Sequence, residues 1–382
     1  MTYTGKSVNR GIIGAGIVAA LVAAATPAWA ALSASPDVLP GFNGTVLAVA
    51  YSGNTLYVGG DFTSVVVKGK TIARSRLAAV DARTGELLSW APSADGRVKA
   101  LAVSGSAVYA AGDFGAVSGQ TRDSLAKLDA VTGAVGSFEH SVSGRPYALA
   151  AGSGRLYVGG AITAVDGQTR TRLAAFSLGR GDLDSTWKPA VDDQVETIAA
   201  TTGRIYVGGK FHKVNSTSGY DRLVALEPAK GSVVTGFKPK ASVITYAITA
   251  APDGVYTAHG GQGGKANAYS AGGTLKWTAT FDGDAQAIAS YGNTVYVGGH
   301  FDRACKSART GDHGVCLDGS NSRIKLAALA PADGKLQSWT ANGNGIEGVL
   351  AMATTSSFGA MAAGGAFTTI NGKSVKRLAQ FS

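Results

Sequence analysis

The side chains able to carry chemistry are few, and their spacing favours recognition over catalysis. His140, His212, His259, His300 and His313 are scattered, and none stands in a nucleophile–base pattern. Carboxylates pair at Asp192-Asp193 and at Asp282/Asp284, but sequence alone does not set the separation that acid–base work requires. Cys305 and Cys316 lie near His300 and His313, which opens a metal-site reading, yet the spacing fits no zinc pattern. Outside the cell the default for two such cysteines is a local disulfide, and that is the expectation here. EF-hand, P-loop and zincin signatures do not occur, and no cofactor or metal is implied.

Two other sets of residues suit binding. One set varies from unit to unit: Leu47, Lys99, Tyr147, Glu196, Tyr246, Gln286 and Gly348. Its tyrosines can stack on sugars, and Lys99, Glu196 and Gln286 can hydrogen-bond them. The other set hardly varies: Arg76, Arg172, Arg222, Lys325 and Arg377, joined by Arg74, Arg170, Arg323 and Lys376. It reads either as a basic rim for an anionic polymer or as an ion pair copied from unit to unit, with the Asp after a Gly-Gly as partner. The formal charge of +10 is spread without long runs or aromatic interleaving, which suits acidic polysaccharide or cell-wall phosphate and gives no signature of specific nucleic-acid binding.

These positions are set by a repeat. The phrase aromatic-Val-Gly-Gly-x-Phe is clearest at Tyr57 to Phe62 and returns, with erosion, so that its second Gly or stand-in falls at 60, 112, 160, 209, 259, 299 and 365. A period near fifty residues means one supersecondary unit repeated. Within a unit, β-rich runs such as 98–103, 108–114, 125–129 and 134–138 are separated by Gly-rich turns, and no helical period is present. The first run alternates large residues (Val49, Leu101, Leu149, Ile198, Ile248, Ile288, Leu350) with alanines. A large face meeting a small face is what radially stacked sheets need. The expected architecture is therefore all-β: a seven-bladed β-propeller of four-stranded antiparallel blades. The last unit lacks its fourth run, and the stretch 37–42 resembles one, so the N-terminal strand is expected to complete the last blade and latch the ring.

Tyr-Val-Gly-Gly-x-Phe, the Arg76 to Val80 run, Thr84 to Trp90 and the variant Gly181 to Trp187 together resemble the delta-60 repeat propellers of secreted bacterial proteins. The chain is also similar to kelch repeats in its Gly-Gly and to quinoproteins in its Thr-Gly-x-Leu-x-x-Trp at Thr84 to Trp90. The resemblance implies a secreted propeller and no particular activity. A basic start at Lys6 and Arg10, an apolar stretch and Ala28-Trp29-Ala30 read as a signal peptide over residues 1–30 for the general secretory route, leaving 31–382 as a single domain with no membrane span. Within it, the segment of about 302–325 is an insertion stapled by Cys305 and Cys316. The expected role is non-catalytic binding of an anionic or neutral polysaccharide of the cell envelope, or of an extracellular protein. The alternative is an extracellular hydrolase, lyase or sugar oxidoreductase acting at the same channel mouth.

Overall fold

A computed structural model describes residues 31–252 and 254–382; the signal-peptide reading lies outside these residues. Among the described residues there is no α-helix, and the strands group by repeat into antiparallel sheets. Sheet one holds Val46–Ser52, Thr55–Gly60 and Leu77–Asp81. Sheet two holds Val98–Ser104, Ala107–Gly112 and Leu125–Asp129. Pro146–Gly152, Arg155–Gly160 and Leu173–Ser177 make sheet three. Val195–Ala200, Ile205–Gly209 and Leu223–Leu226 make sheet four. Sheet five runs through Thr245–Ala251, Gly254–His259, Lys265–Ser270 and Leu275–Thr280. Ala285–Tyr291, Thr294–Gly299 and Leu326–Leu329 form sheet six, and Val349–Thr355, Ala360–Gly365 and Leu378–Phe381 form sheet seven. The first strand of each sheet packs on the first strand of the next, and Val46–Ser52 also packs on Val349–Thr355.

Four strands per sheet was the expectation, and it is met in sheet five alone among the described residues. Elsewhere the outer run shrinks to a single bridge, as at Val80↔Leu87, Leu128↔Val135 and Phe176↔Leu183. In sheets one, three and four the chain then reaches Pro92, Pro189 or Pro239, which has no N–H to give a ladder. The aromatic residue before that proline turns inward instead. Trp90, Trp187 and Phe237 lie 5.1, 4.9 and 5.3 Å from Tyr57, Tyr157 and Tyr206 of their own repeat. Trp90 also donates its indole N–H to the Asp129 carbonyl of the next sheet, and Trp187 does the same to Glu227. The Tyr and Trp of the repeat are thus the cement between sheets, buried yet with polar tips satisfied.

Each glycine of the Gly-Gly pair has its own reason. A Cβ on Gly59, Gly159, Gly298 or Gly364 would come within 2.7, 2.5, 2.5 or 2.4 Å of Val98, Val195, Val349 or Val46 in the next sheet. The first glycine therefore makes room for a neighbour's valine. A Cβ on Gly60, Gly112, Gly160 or Gly299 would come within about 2 Å of the carbonyl of Thr45, Arg97, Arg145 or Asp284. The second glycine makes room for the backbone that enters the sheet's own first strand.

The N-terminal segment differs from the expectation in register. Ser33 and Asp37 donate backbone N–H groups to Ser382 and Gln380 of sheet seven, at 3.2 and 2.8 Å. Gly41–Phe42 has left that sheet and pairs with Ser64–Val67, the hairpin above sheet one. Leu32 is buried with Tyr296 and Met361, and Trp339 donates to the Ser33 carbonyl. The contact therefore begins about four residues earlier than the resemblance of 37–42 to an outer run suggests.

The candidate site at the central cavity

Every first strand carries a β-bulge at one register. Pairing skips from Val46 to Ala48, Val98 to Ala100, Pro146 to Ala148, Val195 to Thr197, Thr245 to Ala247, Ala285 to Ala287 and Val349 to Ala351. The skipped residues are Leu47, Lys99, Tyr147, Glu196, Tyr246, Gln286 and Leu350. A bulge re-aims the extra side chain. All seven line one cavity of about 210 Å³, with Val49, Leu101, Leu149, Ile198, Ile248, Ile288 and Met352 below them. The variable ring read from sequence is therefore a real convergence, with a correction of two residues in the last repeat. Leu350 takes the place expected of Gly348, and Met352 the place expected of Leu350.

Both charges of the ring are already partnered. The Lys99 ammonium pairs with Asp113 at 2.9 Å and sits 4.5 Å over the centre of the Tyr147 ring. Glu196 pairs with Lys210 at 3.4 Å and accepts from the Gln194 amide at 2.7 Å. Burial first, then the negative charges of Asp284 and Glu196, push the Tyr246 phenol above its ordinary range, so it remains an O–H donor. The Gln286 side-chain oxygen is buried and has no hydrogen-bond partner among the described residues. The site therefore offers phenol, amide and ring faces on an apolar floor.

The recurrent arginines reach main-chain carbonyls. Arg76, Arg172, Arg222, Lys325 and Arg377 all have positive φ, between 62° and 71°, at the entry to the third strand. Their backbone closes the loop: Arg76 N–H donates to the Phe62 carbonyl, and Gly60 donates back to Arg76. Their guanidinium groups donate to main-chain carbonyls, Arg76 to Ala94, Arg172 to Ile162 and Arg222 to Lys210. The expected ion pair with the Asp after Gly-Gly is not what forms, since Asp61 faces Arg97 and Asp113 faces Lys99. The companion set is more uniform still: Arg74, Arg170 and Arg323 reach the carbonyls of Leu88, Asp184 and Gln337, each fourteen residues on. Arg122 repeats the contact with Gly136, a match sequence reading passed over because Ser124 breaks the other series.

The carboxylate pairs separate by role. Asp192 accepts from the backbone N–H groups of His212 and Lys213, and Asp282 accepts from Asp302 and Arg303. Asp95, Asn43 and Asn344 make the same two-pronged clamp. Asp284 accepts from Gly261, and the His300 ring accepts from the Asp284 N–H. Glu196 is the one carboxylate on the cavity wall. Cys305 and Cys316 are joined in a disulfide, which removes both thiols from the metal-site reading. Their loop is a hairpin of Arg303–Cys305 and Ser320–Ser322.

Comparison with known proteins adds the fold and no more. No family model matches the chain, and no curated protein matches it. Among solved structures, the WD40 β-propeller domain of Doa1 aligns over 93% of this chain and 97% of its own, at 10% identity and a TM-score of 0.57. The computationally designed Ika8 protein aligns over 91% and 99%, at 14% identity and a TM-score of 0.49. The likeness to Doa1 gives this all-β chain a β-propeller fold. No helix among the described residues is long and apolar enough to cross a membrane.

Proposed function

We propose that the chain is a seven-bladed propeller of the delta-60 repeat type, exported from the cell and latched by residues 33–37, and that it acts by binding. Its ligand is a neutral, polyhydroxylated unit of a cell-envelope or extracellular polysaccharide, held at the bulge ring. The observation that carries this reading is the convergence of seven bulge residues, of five types, on one cavity whose two charges are already paired within the protein. A neutral ligand leaves both pairs intact, whereas a charged one has to compete with them. The cavity is smaller than the roughly 300–1,000 Å³ of drug-sized sites, which suits one sugar ring or a chain end. With a single carboxylate on its wall, the cavity favours recognition over the paired-carboxylate hydrolysis of the enzyme alternative.

The test is retention of the purified protein on isolated cell walls and on a panel of neutral and acidic polysaccharides across a salt series. Salt-insensitive retention, lost in Tyr147→Ala and Tyr246→Ala, is the expected result. Retention that disappears with salt and follows Arg76, Arg172 and Arg222 instead would move recognition to the rim. Release of reducing ends from any of the polymers would sink the non-catalytic reading.

A further inference from the structure

A second cavity, of about 330 Å³, lies on the side of the molecule between sheets five and six. Its origin is a broken repeat. Between sheets one and two, Pro92 fills the space under the next sheet's outer turn, and a Cβ on Gly133 would lie 3.0 Å from its ring. Pro189 fills the same space under Gly231, at 2.7 Å, and under Gly273 it is the Lys238–Pro239 backbone, with the Lys238 nitrogen at 2.5 Å. His140 takes that position in sheet two and hydrogen-bonds the Gly181 carbonyl at 2.9 Å. In sheet five the residue is Ala279, two places after Trp277, and the next turn's Gly334 comes down on the Trp277 ring instead. The missing filler leaves the crevice open.

Three further features make it a site. Thr280, 3% exposed, lies on its wall, and its hydroxyl has no hydrogen-bond partner among the described residues. Buried polar atoms are nearly always satisfied, so an orphan beside an open cavity points to a missing group. The stapled hairpin roofs the crevice, placing Lys306 and Asn321 on the lining. The charges there do not balance: Lys335 pairs with Asp333 at 2.7 Å, while Lys306 makes no ion pair among the described residues. One unpaired ammonium, a carboxamide and the Thr278 and Thr280 hydroxyls are donors and acceptors suited to a small hydroxylated monoanion.

We infer that this crevice between sheets five and six is a binding site for a sugar acid of the uronic type, independent of the central cavity. The carboxylate meets Lys306, and the ring hydroxyls meet Thr280, Thr278 and Asn321. The test is calorimetric titration of the full protein with glucuronate, glucose and inorganic phosphate, together with amide shifts by NMR. Glucuronate should bind, with shifts at residues 304–308 and 333–336, and glucose and phosphate should bind at least roughly tenfold more weakly, the scale of one lost hydrogen bond to a charged group. Thr280→Val and Ala279→Pro, the second restoring the filler found elsewhere, should each weaken glucuronate by a similar factor. Lys306→Gln should erase the preference for glucuronate over glucose. If Ala279→Pro melts early, Thr280→Val stands alone as the test, because it keeps the side-chain shape. Equal binding of glucose or of phosphate, shifts confined to the strands of the central cavity, or no heat with glucuronate would each overturn the assignment.

Discussion

The recurrent arginines and the bulge ring occupy the same repeats and have opposite histories. Arg74, Arg122, Arg170 and Arg323 are nearly identical from sheet to sheet, and each donates to a main-chain carbonyl of its own repeat fourteen residues on. The ring carries five residue types over seven repeats, while the backbone beneath them, a bulge facing a glycine or its stand-in, does not change. In a repeat protein, sameness therefore marks the frame and difference marks what the frame presents. A cluster of cations that looks like a rim in the sequence makes repeated contacts to main-chain carbonyls in the structure.

The sharpest way to break this contrast is to damage the frame. Gly160→Ala places a Cβ 2.1 Å from the Arg145 carbonyl, with Pro146 and Tyr147 backbone atoms under 3 Å away. Backbone cannot rotate aside as a side chain can, so the substitution should destabilise by more than ~3 kcal/mol, at the upper end for overpacking. Denaturant melts at constant slope check it; a loss below ~1 kcal/mol would mean that the bulge is soft.

His259 tests the frame through pH. It stands where other repeats have the second glycine, fully buried, with Thr257 at 2.7 Å and Thr245 at 3.2 Å from its ring nitrogens. Burial holds its pKa down to about 4. An unfolded histidine titrates near 6.5, so between about 6.5 and 4 the unfolded chain binds a proton that the folded chain refuses. Stability from this group is complete above about pH 6.5 and is lost as pH falls toward 4, by up to about 3 kcal/mol. His259→Gln should flatten that part of the curve relative to the parent; an unchanged slope would place the acid sensitivity elsewhere.

Arg170→Met comes next in size. Arg170 is 4% exposed and donates to the carbonyls of Thr169 and Asp184. Methionine keeps the packing of the stem but strands those carbonyls, which should cost about 1.5–3 kcal/mol, the range for hydrogen bonds to a charged group. The same exchange at a ligand-binding arginine would leave the melt unchanged and lower affinity instead, and this pair of readouts separates clamp from rim.

Much of the frame was legible because close packing leaves a periodic trace. Tyr57 with Trp90, the Gly-Gly pairs and the Thr-Gly turns each recur at fixed offsets, and a single repeat suffices to read them. The bulge was not legible, because an added residue in a strand changes pairing without changing composition; it shows as a ring of unlike residues and a two-residue error at Gly348. The outer runs looked like full strands because Leu87 and Leu88 have strand-like character, while the capture of Trp90 by the next sheet is a long-range event. The crevice at Ala279 could have been sought by aligning the residue two places after each Trp or Phe, which gives Pro92, His140, Pro189 and Pro239, and then Ala279 and Ala341. That comparison requires knowing that the position is a filler, which only the packing reveals.

The smallest effect on stability should come from the ring itself. Tyr147 is half-buried at a position that the frame leaves free to vary, and its one marked contact is the Lys99 ammonium over its face. Cation–π pairing at such a site is worth ~0.5–1 kcal/mol, so Tyr147→Ala should lower stability by no more than about that plus a little lost packing. Tyr147→Phe keeps the ring and should be close to neutral. If the ring is what the protein presents, polysaccharide retention falls sharply in Tyr147→Ala and survives in Tyr147→Phe, while the melt barely moves in either. A large loss of stability with retention unchanged would reverse the roles assigned to frame and ring, making Tyr147 part of the cement and leaving the cavity a by-product of packing first strand against first strand.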